Sequence, residues 1–186
     1  VWARLEAFRL ACAPLAAPSG VLGSPCPRLV LLAPGTPVRV GHVARANSHW
    51  RQCDGSAETL AIFHGPHAYV SPSWYATGPA VPTWNYSAVH VYGKPLARED
   101  GDFTAAALRD LVARHEGARA KPWRMEDLAV DFYEQLVRAI VAFEMQIDRI
   151  EGKFKLGRTR SQDDTLGTHT DLNSEESPAP TALPRA

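Results

Sequence analysis

Two aromatic motifs stand close together in this sequence, His67-Ala-Tyr-Val-Ser-Pro-Ser-Trp-Tyr75 and Val81-Pro-Thr-Trp-Asn-Tyr86. Together they hold two Trp and three Tyr, interleaved with hydroxyl and amide side chains. Each buried Tyr or Trp needs a hydrogen-bond partner for its O–H or N–H as well as apolar cover. This mixture is typical of a pocket around a flat ligand. The chain is therefore predicted to be organised around the stretch from Leu60 to Tyr92.

Apolar runs and alternating patterns predict the strands around these motifs. The runs with strand character are 29–33, 38–43, 59–63, 68–71, 83–92, 143–148 and 153–156. Gly65-Pro66 predicts a turn between two of these strands, and Ile150, which is out of phase, predicts a bulge.

Two amphipathic helices are predicted between the strands. Asp102 or Thr104 caps the first helix, which ends at Gly117. The second is predicted from Glu126 to Ala142, because its apolar residues recur at helical spacing. Helices of this kind cover a sheet, so the pattern favours an α+β, mainly β fold.

Composition favours one folded domain with irregular ends. The chain has 186 residues and no formal net charge. Residues 1–28, rich in Pro and Ala, are predicted to form an atypical, poorly ordered segment, and residues 29–164 the folded domain. Residues 165–186, dominated by Ser, Thr, Asp, Glu and Pro, are predicted to be a disordered tail.

Charge and cysteine usage weigh against several function classes. A chain without net charge has no global electrostatic field that would attract DNA. The second predicted helix has one basic residue, Arg138, and four acidic residues, so it would repel the phosphate backbone. DNA is a possible partner that the charge pattern does not support. The three Cys are widely spaced and lack a CxxC pair, which favours a reducing, cytoplasmic location. No apolar run is long enough to span a membrane.

Motifs of common enzyme classes do not occur. The sequence has no GxGxxG pattern, no P-loop and no GxSxG elbow. His64 and His67 have a spacing that suits a metal, but no Cys or carboxylate ligand stands near them. We therefore predict no metal site and assign no catalytic residue.

A mononucleotide flavin would fit the aromatic motifs, because it needs cations or hydroxyls for its phosphate, a slot for its ring and amides for the ring's polar edge. Candidates for these three roles are Arg45, Lys153 and Lys155; Trp74, Trp84 and Tyr86; and Asn47, Ser71, Thr83 and Asn85. The alternative is that the aromatic residues belong to the core or to a subunit interface, and that the lysines form the solvated face of an edge strand.

Several longer blocks resemble the PaiB family of FMN-binding negative transcriptional regulators. The matching blocks are Gly41-His-Val-Ala-Arg-Ala-Asn47, Phe63 to Tyr75, Val81 to Tyr86, Pro122-Trp123 and Ile147-Asp-Arg-Ile-Glu-Gly-Lys-Phe-Lys-Leu156. The resemblance covers about Leu29 to Asp164, and leaves Val1 to Arg28 outside it.

The resemblance implies a split β-barrel of the pyridoxamine-phosphate-oxidase-like type, a homodimer, and FMN near the dimer interface. It implies a flavoprotein in negative regulation of transcription, of the protease and sporulation type and without direct DNA readout. The alternative is a flavin-dependent oxidoreductase of the split-barrel class. The predicted FMN-binding set is His42, Arg45, Asn47, Tyr69, Ser71, Trp74, Thr83, Trp84, Asn85, Lys153 and Lys155.

Overall fold

A computed structural model describes residues 10–17, 20–33, 36–157 and 160–174. Six strands and three α-helices lie within these residues. The strands are β1 (Leu10–Ala17), β2 (Gly20–Ala33), β3 (Thr36–Ala44), β4 (Thr59–Val70), β5 (Thr83–Arg98) and β6 (Ile140–Lys155). The helices are α1 (Gly101–Glu116), α2 (Val130–Arg138) and α3 (Gln162–Ser174). Short 3₁₀ turns span Ser48–Gln52, Pro72–Trp74 and Met125–Asp127.

The six strands close a barrel in the order β1-β2-β3-β6-β5-β4. Strand β1 pairs antiparallel with both β2 and β4, and β3 pairs antiparallel with β2 and β6. The register between β3 and β6 sets Val43 opposite Val141, and both side chains are buried. A barrel with helices agrees with the predicted α+β, mainly β class.

The chain divides into two compact units. The first consists of the described residues up to His64 together with Val89–Gly152, and the second consists of Gly65–Ala88 and the residues from Lys153 onward. The core of the first unit is built by Ala61, Phe63, Val89, Val91 and Met145. Buried residues alternate along this part of β5, as expected where one face of a strand is packed inward.

Gly93 continues the inward face of β5 and permits close packing in the first unit. A Cβ added there would overlap the carbonyl oxygen of Gln146 and lie 2.9 Å from Met145 Cγ. Strand β5 can therefore approach β6 closely only where it has no side chain.

Several strand predictions were wrong in their bounds. β4 is continuous across the predicted turn at Gly65-Pro66, and the carbonyl of Pro66 accepts a hydrogen bond from Ser87 Oγ at 3.4 Å. β6 begins before the predicted strand and runs on through Gly152. Pairing across a sheet extends strands beyond the point where a local apolar pattern ends.

The prediction that residues 1–28 are poorly ordered is wrong for those of them that the structure describes. It contains all of β1 and the first part of β2, whose antiparallel register aligns Ala17 with Gly20 and Leu10 with Pro27. Frequent Pro excludes a long helix, but the hairpin that these two strands form leaves no clear alternating period in the sequence. Residues 1–9 lie outside the described part, and β2 crosses the predicted boundary at residue 28.

The two predicted helices exist with different ends. α1 is capped by Asp100, whose side chain accepts from the N–H of Asp102, and it ends before Gly117 as predicted. The second helix is shorter than predicted: α2 is preceded by a 3₁₀ turn, and residues from Ile140 on belong to β6. Burial of Val141 and Ala142 in the barrel prevails over the helical spacing there.

The third helix, α3, occupies residues predicted as the start of a disordered tail. The Ser161 hydroxyl accepts a hydrogen bond from the N–H of Asp164 at 3.1 Å, which caps the first turn. Asp164 and Thr168 are buried in the second unit. Tertiary contacts of this kind order a segment whose composition alone predicts disorder. Residues 175–186 of the predicted tail lie outside the described part.

Candidate functional site

A cluster of rings marks the second unit. The Tyr69 ring lies 6.3 Å from the Trp84 ring and 6.4 Å from the Trp74 ring, and His67 stacks on Trp84 at 5.7 Å. Tyr69 is 46% exposed and Trp84 47% exposed, so these two side chains still have a large solvent-facing area. The ring slot was predicted from Trp74, Trp84 and Tyr86, whereas the rings grouped here are those of Tyr69, Trp74 and Trp84. The exposure of Tyr69 and Trp84 leaves apolar surface for a ligand to cover.

The turn before this cluster is built by Ser71. Its hydroxyl accepts from the N–H of Ser73 at 3.2 Å and lies 2.7 Å from the Ser73 hydroxyl. This cap begins the 3₁₀ turn Pro72–Trp74, in which Pro72 suits the first position. Ser71 therefore orients Trp74 through the turn.

Two lysines at the end of β6 contact β5 within the second unit. Lys155 Nζ donates to Thr83 Oγ1 at 2.8 Å, and Lys153 Nζ lies 5.9 Å from the centre of the Tyr86 ring. Both lysine side chains are exposed. The structure thus brings the predicted phosphate candidates Lys153 and Lys155 beside the strand that carries Trp84.

A cavity of about 380 Å³ lies in the second unit, between strand residues and the start of α3. Pro66, Ala68 and Leu156 supply apolar walls, and Asn85 and Arg160 supply polar groups. This size is within the usual range for small-molecule pockets. Asn85, which was predicted to contact the polar edge of a flavin, is one of the residues that line this cavity.

The position of Arg160 depends on a turn at Gly157. Gly157 has a φ of 68°, a left-handed conformation that favours glycine, and its carbonyl accepts from the N–H of Arg160 at 2.9 Å. The guanidinium then lies over the Tyr75 ring, 4.2 Å from its centre. Sequence analysis missed Arg160 because it follows the last recognisable strand and precedes a segment predicted as a tail.

Asp164 joins α3 to the loop between the two aromatic motifs. Its carboxylate accepts from Thr77 N–H at 3.0 Å and from Thr77 Oγ1 at 2.7 Å. These hydrogen bonds, that from the Thr77 side chain above all, hold the pKa of Asp164 below its usual value. The carboxylate is therefore ionised at neutral pH and fixes the loop that follows Tyr75.

Three of the predicted FMN ligands, His42, Arg45 and Asn47, lie in the first unit. Arg45 donates to the carbonyls of Arg138 and Ile140 at 2.9 and 3.4 Å and to Glu99 at 3.1 Å. Asn47 Oδ1 accepts from the N–H of His49 at 3.0 Å and caps the 3₁₀ turn Ser48–Gln52. These contacts describe structural roles for Arg45 and Asn47.

Among the described residues of the first unit, burial shifts the pKa of His42, His49 and Cys53. Burial lowers the pKa of His42, so its imidazole is neutral at neutral pH. Burial, followed by the charge of Asp54, raises the pKa of Cys53 to about 11. The Cys53 thiol therefore stays protonated and is a poor nucleophile.

Two further properties concern the described ranges alone. Within them, no three His, Cys, Asp or Glu side chains are grouped as a metal site would require. None of their helices combines the length and the apolar character needed to cross a bilayer.

Comparison with known proteins identifies relatives in bacteria and fungi. Protease synthase and sporulation protein PAI 2 of Bacillus subtilis is 36% identical over 138 residues, which cover 74% of this chain and 66% of that protein. An uncharacterized protein of Aspergillus fumigatus is 34% identical over 172 residues, which cover 73% of this chain and 65% of its own length. The chain thus spans slightly less than two thirds of each relative.

Solved structures establish the fold class. The flavocytochrome Anf3 of Azotobacter vinelandii superposes with a TM-score of 0.60 at 14% identity, covering 89% of this chain and 73% of that one. The FAD and heme binding protein of Mycobacterium smegmatis gives 0.59 at 16% identity, with 87% and 73% covered. These similarities concern the fold, and they confirm the predicted split-barrel class.

The family match extends further toward the N-terminus than the resemblance did. Residues 2–149 match the model of the family described as "Putative FMN-binding domain". The segment 1–28, which was set apart in the sequence analysis, is therefore part of the family's domain from residue 2 onward. FMN is the cofactor that this description names, as predicted. Together with the similarity to PAI 2, the match shows that the chain belongs to this FMN-binding domain family, of which the PaiB proteins are members.

Proposed function

We propose that this chain binds FMN on its second unit and takes part in negative regulation of transcription. The observation that carries the flavin site is the half-exposed ring pair Tyr69 and Trp84, in the same unit as Lys153 and Lys155. When bound, FMN supplies a ring system that can accept and donate electrons. The residues of this unit bind and orient it.

The two groups of residues have separate tasks in this proposal. Tyr69 and Trp84 cover the flat ring, because an exposed aromatic surface is stabilised when a ligand removes it from water. Lys153 and Lys155 hold the phosphate, with the Thr83 hydroxyl beside Lys155 at 2.8 Å. Charge-assisted hydrogen bonds from ammonium groups are well suited to phosphate oxygens.

Titration of the purified chain with FMN and with riboflavin, followed by quenching of flavin fluorescence, tests this site. We expect saturable FMN binding, and a loss of roughly tenfold in FMN affinity for Lys155→Ala or Lys153→Ala, because a charge-assisted hydrogen bond contributes about 1.5 kcal/mol. Riboflavin lacks the phosphate, so its affinity should not change in these variants. Lys121→Ala, at an exposed lysine in the loop after α1, is the matched control.

Equal losses for FMN and riboflavin, or unchanged FMN affinity in both lysine variants, would place the phosphate elsewhere. Absence of FMN quenching by a folded wild-type chain would refute the flavin proposal itself.

The regulatory part of the proposal requires a partner macromolecule. α2 exposes Asp131 and Glu134, and its basic residue Arg138 pairs with Glu134 at 3.1 Å. An acidic helix face of this kind repels the DNA backbone. We expect weak, non-specific binding of the purified protein to promoter DNA, and tight salt-sensitive binding in a mobility assay would contradict the indirect role.

The flavin-dependent oxidoreductase stays as the second candidate, because the flavin-binding neighbours share this fold. One fold supports many activities, so the chemistry has to be tested directly. Addition of NADPH or NADH to the FMN-loaded chain should leave the flavin absorbance unchanged if the role is regulatory. Rapid bleaching under anaerobic conditions would favour the enzyme.

A further inference from the structure

We propose that the cavity of the second unit binds a small organic anion at Arg160. His67 lines this cavity and also stacks on Trp84, so the cavity adjoins the ring cluster assigned to FMN. The inference rests on the cavity and its cation, and it does not require the flavin proposal to hold. The ligand class is a compact, largely apolar molecule with one carboxylate or phosphate group.

The cavity has the composition of a ligand site. Its volume is about 380 Å³, and Pro66, Ala68 and Leu156 contribute apolar walls. Small-molecule pockets combine such walls with a few convergent polar groups. Here those groups include Asn85 and Arg160, both partly buried.

Arg160 is a fixed cation whose charge is not neutralised by a described carboxylate. Its guanidinium lies 4.2 Å from the centre of the Tyr75 ring, which limits its orientations. Within the described ranges, the ion pairs of the structure involve other arginines. Asp164, four residues further along, commits one oxygen to each of two Thr77 donors. A partly buried guanidinium in an apolar cavity is completed by an anionic ligand.

Asn85 adds specificity for an anion at the same cavity. Its side-chain amide nitrogen is a donor near Gly157, since it lies 3.9 Å from the position that a Cβ on Gly157 would take. The guanidinium and the amide therefore offer donors from two elements, β5 and the turn after β6. A carboxylate or phosphate accepts several such donors, whereas a neutral apolar ligand would leave them unpaired.

Isothermal titration calorimetry with 2-naphthoate and its neutral counterpart 2-naphthamide tests the proposal. We expect saturable binding of 2-naphthoate by the wild-type chain, about tenfold tighter than that of 2-naphthamide. Arg160→Gln should abolish this preference for the acid. Arg114→Gln, at an exposed arginine on α1, should retain it.

A second variant keeps the test decisive if Arg160→Gln lowers the melting temperature. Ala68→Leu fills part of the cavity and retains the Arg160 guanidinium. It should therefore lower the affinity for 2-naphthoate and for 2-naphthamide alike. Unchanged 2-naphthoate binding in a folded Ala68→Leu chain overturns the assignment to this cavity.

Two further results would overturn the proposal. Equal affinity for the acid and the amide means that Arg160 does not select an anion. Competitive displacement of 2-naphthoate by FMN means that the cavity is part of the flavin site. Failure of the chain to bind FMN leaves the naphthoate titration intact, so the two proposals fail separately.

Discussion

Replacement of Arg45 by Ala separates two roles for the same residue. The motif that resembles the PaiB family predicts Arg45 as a phosphate ligand, whereas the structure surrounds it with acceptors of its own unit. Its side chain donates to the carbonyl of Arg138, the last residue of α2, to the carbonyl of Ile140, the first residue of β6, and to the carboxylate of Glu99. We therefore expect Arg45→Ala to lower the free energy of unfolding and to leave FMN affinity nearly unchanged.

The contacts of Arg45 set the size of this effect. A cation at a helix C-terminus contributes about 0.3–1 kcal/mol. The pair with Glu99 is worth at most about 1 kcal/mol, because the two side chains are 42% and 61% exposed. Loss of both interactions should cost at most roughly 2 kcal/mol, which is at the lower end of the cost of emptying a core position.

Urea denaturation and FMN titration on the same preparations measure the two roles. Arg109→Ala, on the exposed side of α1, controls for the loss of a surface arginine and should change stability by less than about 0.5 kcal/mol. Arg45→Lys keeps the charge but cannot span two carbonyls, so it should lie between Arg45→Ala and wild type. An Arg45→Ala chain of wild-type stability with FMN binding weakened tenfold or more would refute the structural role.

Three other changes test the packing of each unit. Gly93→Ala should destabilise the fold by about 2 kcal/mol or more in urea denaturation, since a Cβ has no room beside Gln146; a neutral result would mean that β5 shifts freely. Trp84→Ala should weaken FMN while costing less than about 2 kcal/mol of stability, because Trp84 is 47% exposed; a larger loss would make it a core residue. The lowered pKa of Asp164 contributes stability that is complete above its unfolded value of 3.8 and disappears as pH falls through the lower folded pKa. Thr77→Val should therefore make the free energy of unfolding depend less steeply on pH in acid. An unchanged pH dependence in this variant would contradict the role of Thr77.

The sequence predicts those parts of the fold in which a local pattern matches the packing. Val89 and Val91 alternate with the partly buried His90 and Tyr92 and lie in the core, so the period of two identifies β5. Gly117 marks the end of α1 because glycine favours helix termination. β1 leaves no such trace in its own residues: it forms a hairpin with β2, and its other pairing, with β4, joins residues far apart in the chain. Ile140 to Ala142 show the converse: they fit a helical spacing, yet their pairing with β3 places them in a strand.

The candidate site is predictable where its residues belong to the aromatic motifs. Trp74 and Trp84 were assigned to a ring slot from their residue types, and the structure groups their rings around Tyr69. Arg160 had no local signal, because its position follows from the left-handed turn at Gly157 and from its contact with Tyr75. Such a contact joins residues 85 positions apart, and a single sequence carries no pattern for it.

The link between α3 and the aromatic loop orders the part of the second unit in which we propose the ligand sites. Loops that join strands are usually mobile, and the loop after Tyr75 connects both aromatic motifs. Burial of a charged Asp164 is unfavourable unless its oxygens accept hydrogen bonds, and Thr77 supplies two. Asp164, the last residue of the predicted domain, thus fixes the loop, and the fixed loop holds Tyr75 under Arg160. The order of the aromatic loop and the position of Arg160 in the cavity then both depend on the hydrogen bonds between Thr77 and Asp164. A ligand bound at the ring cluster or in the cavity would therefore stabilise these same hydrogen bonds.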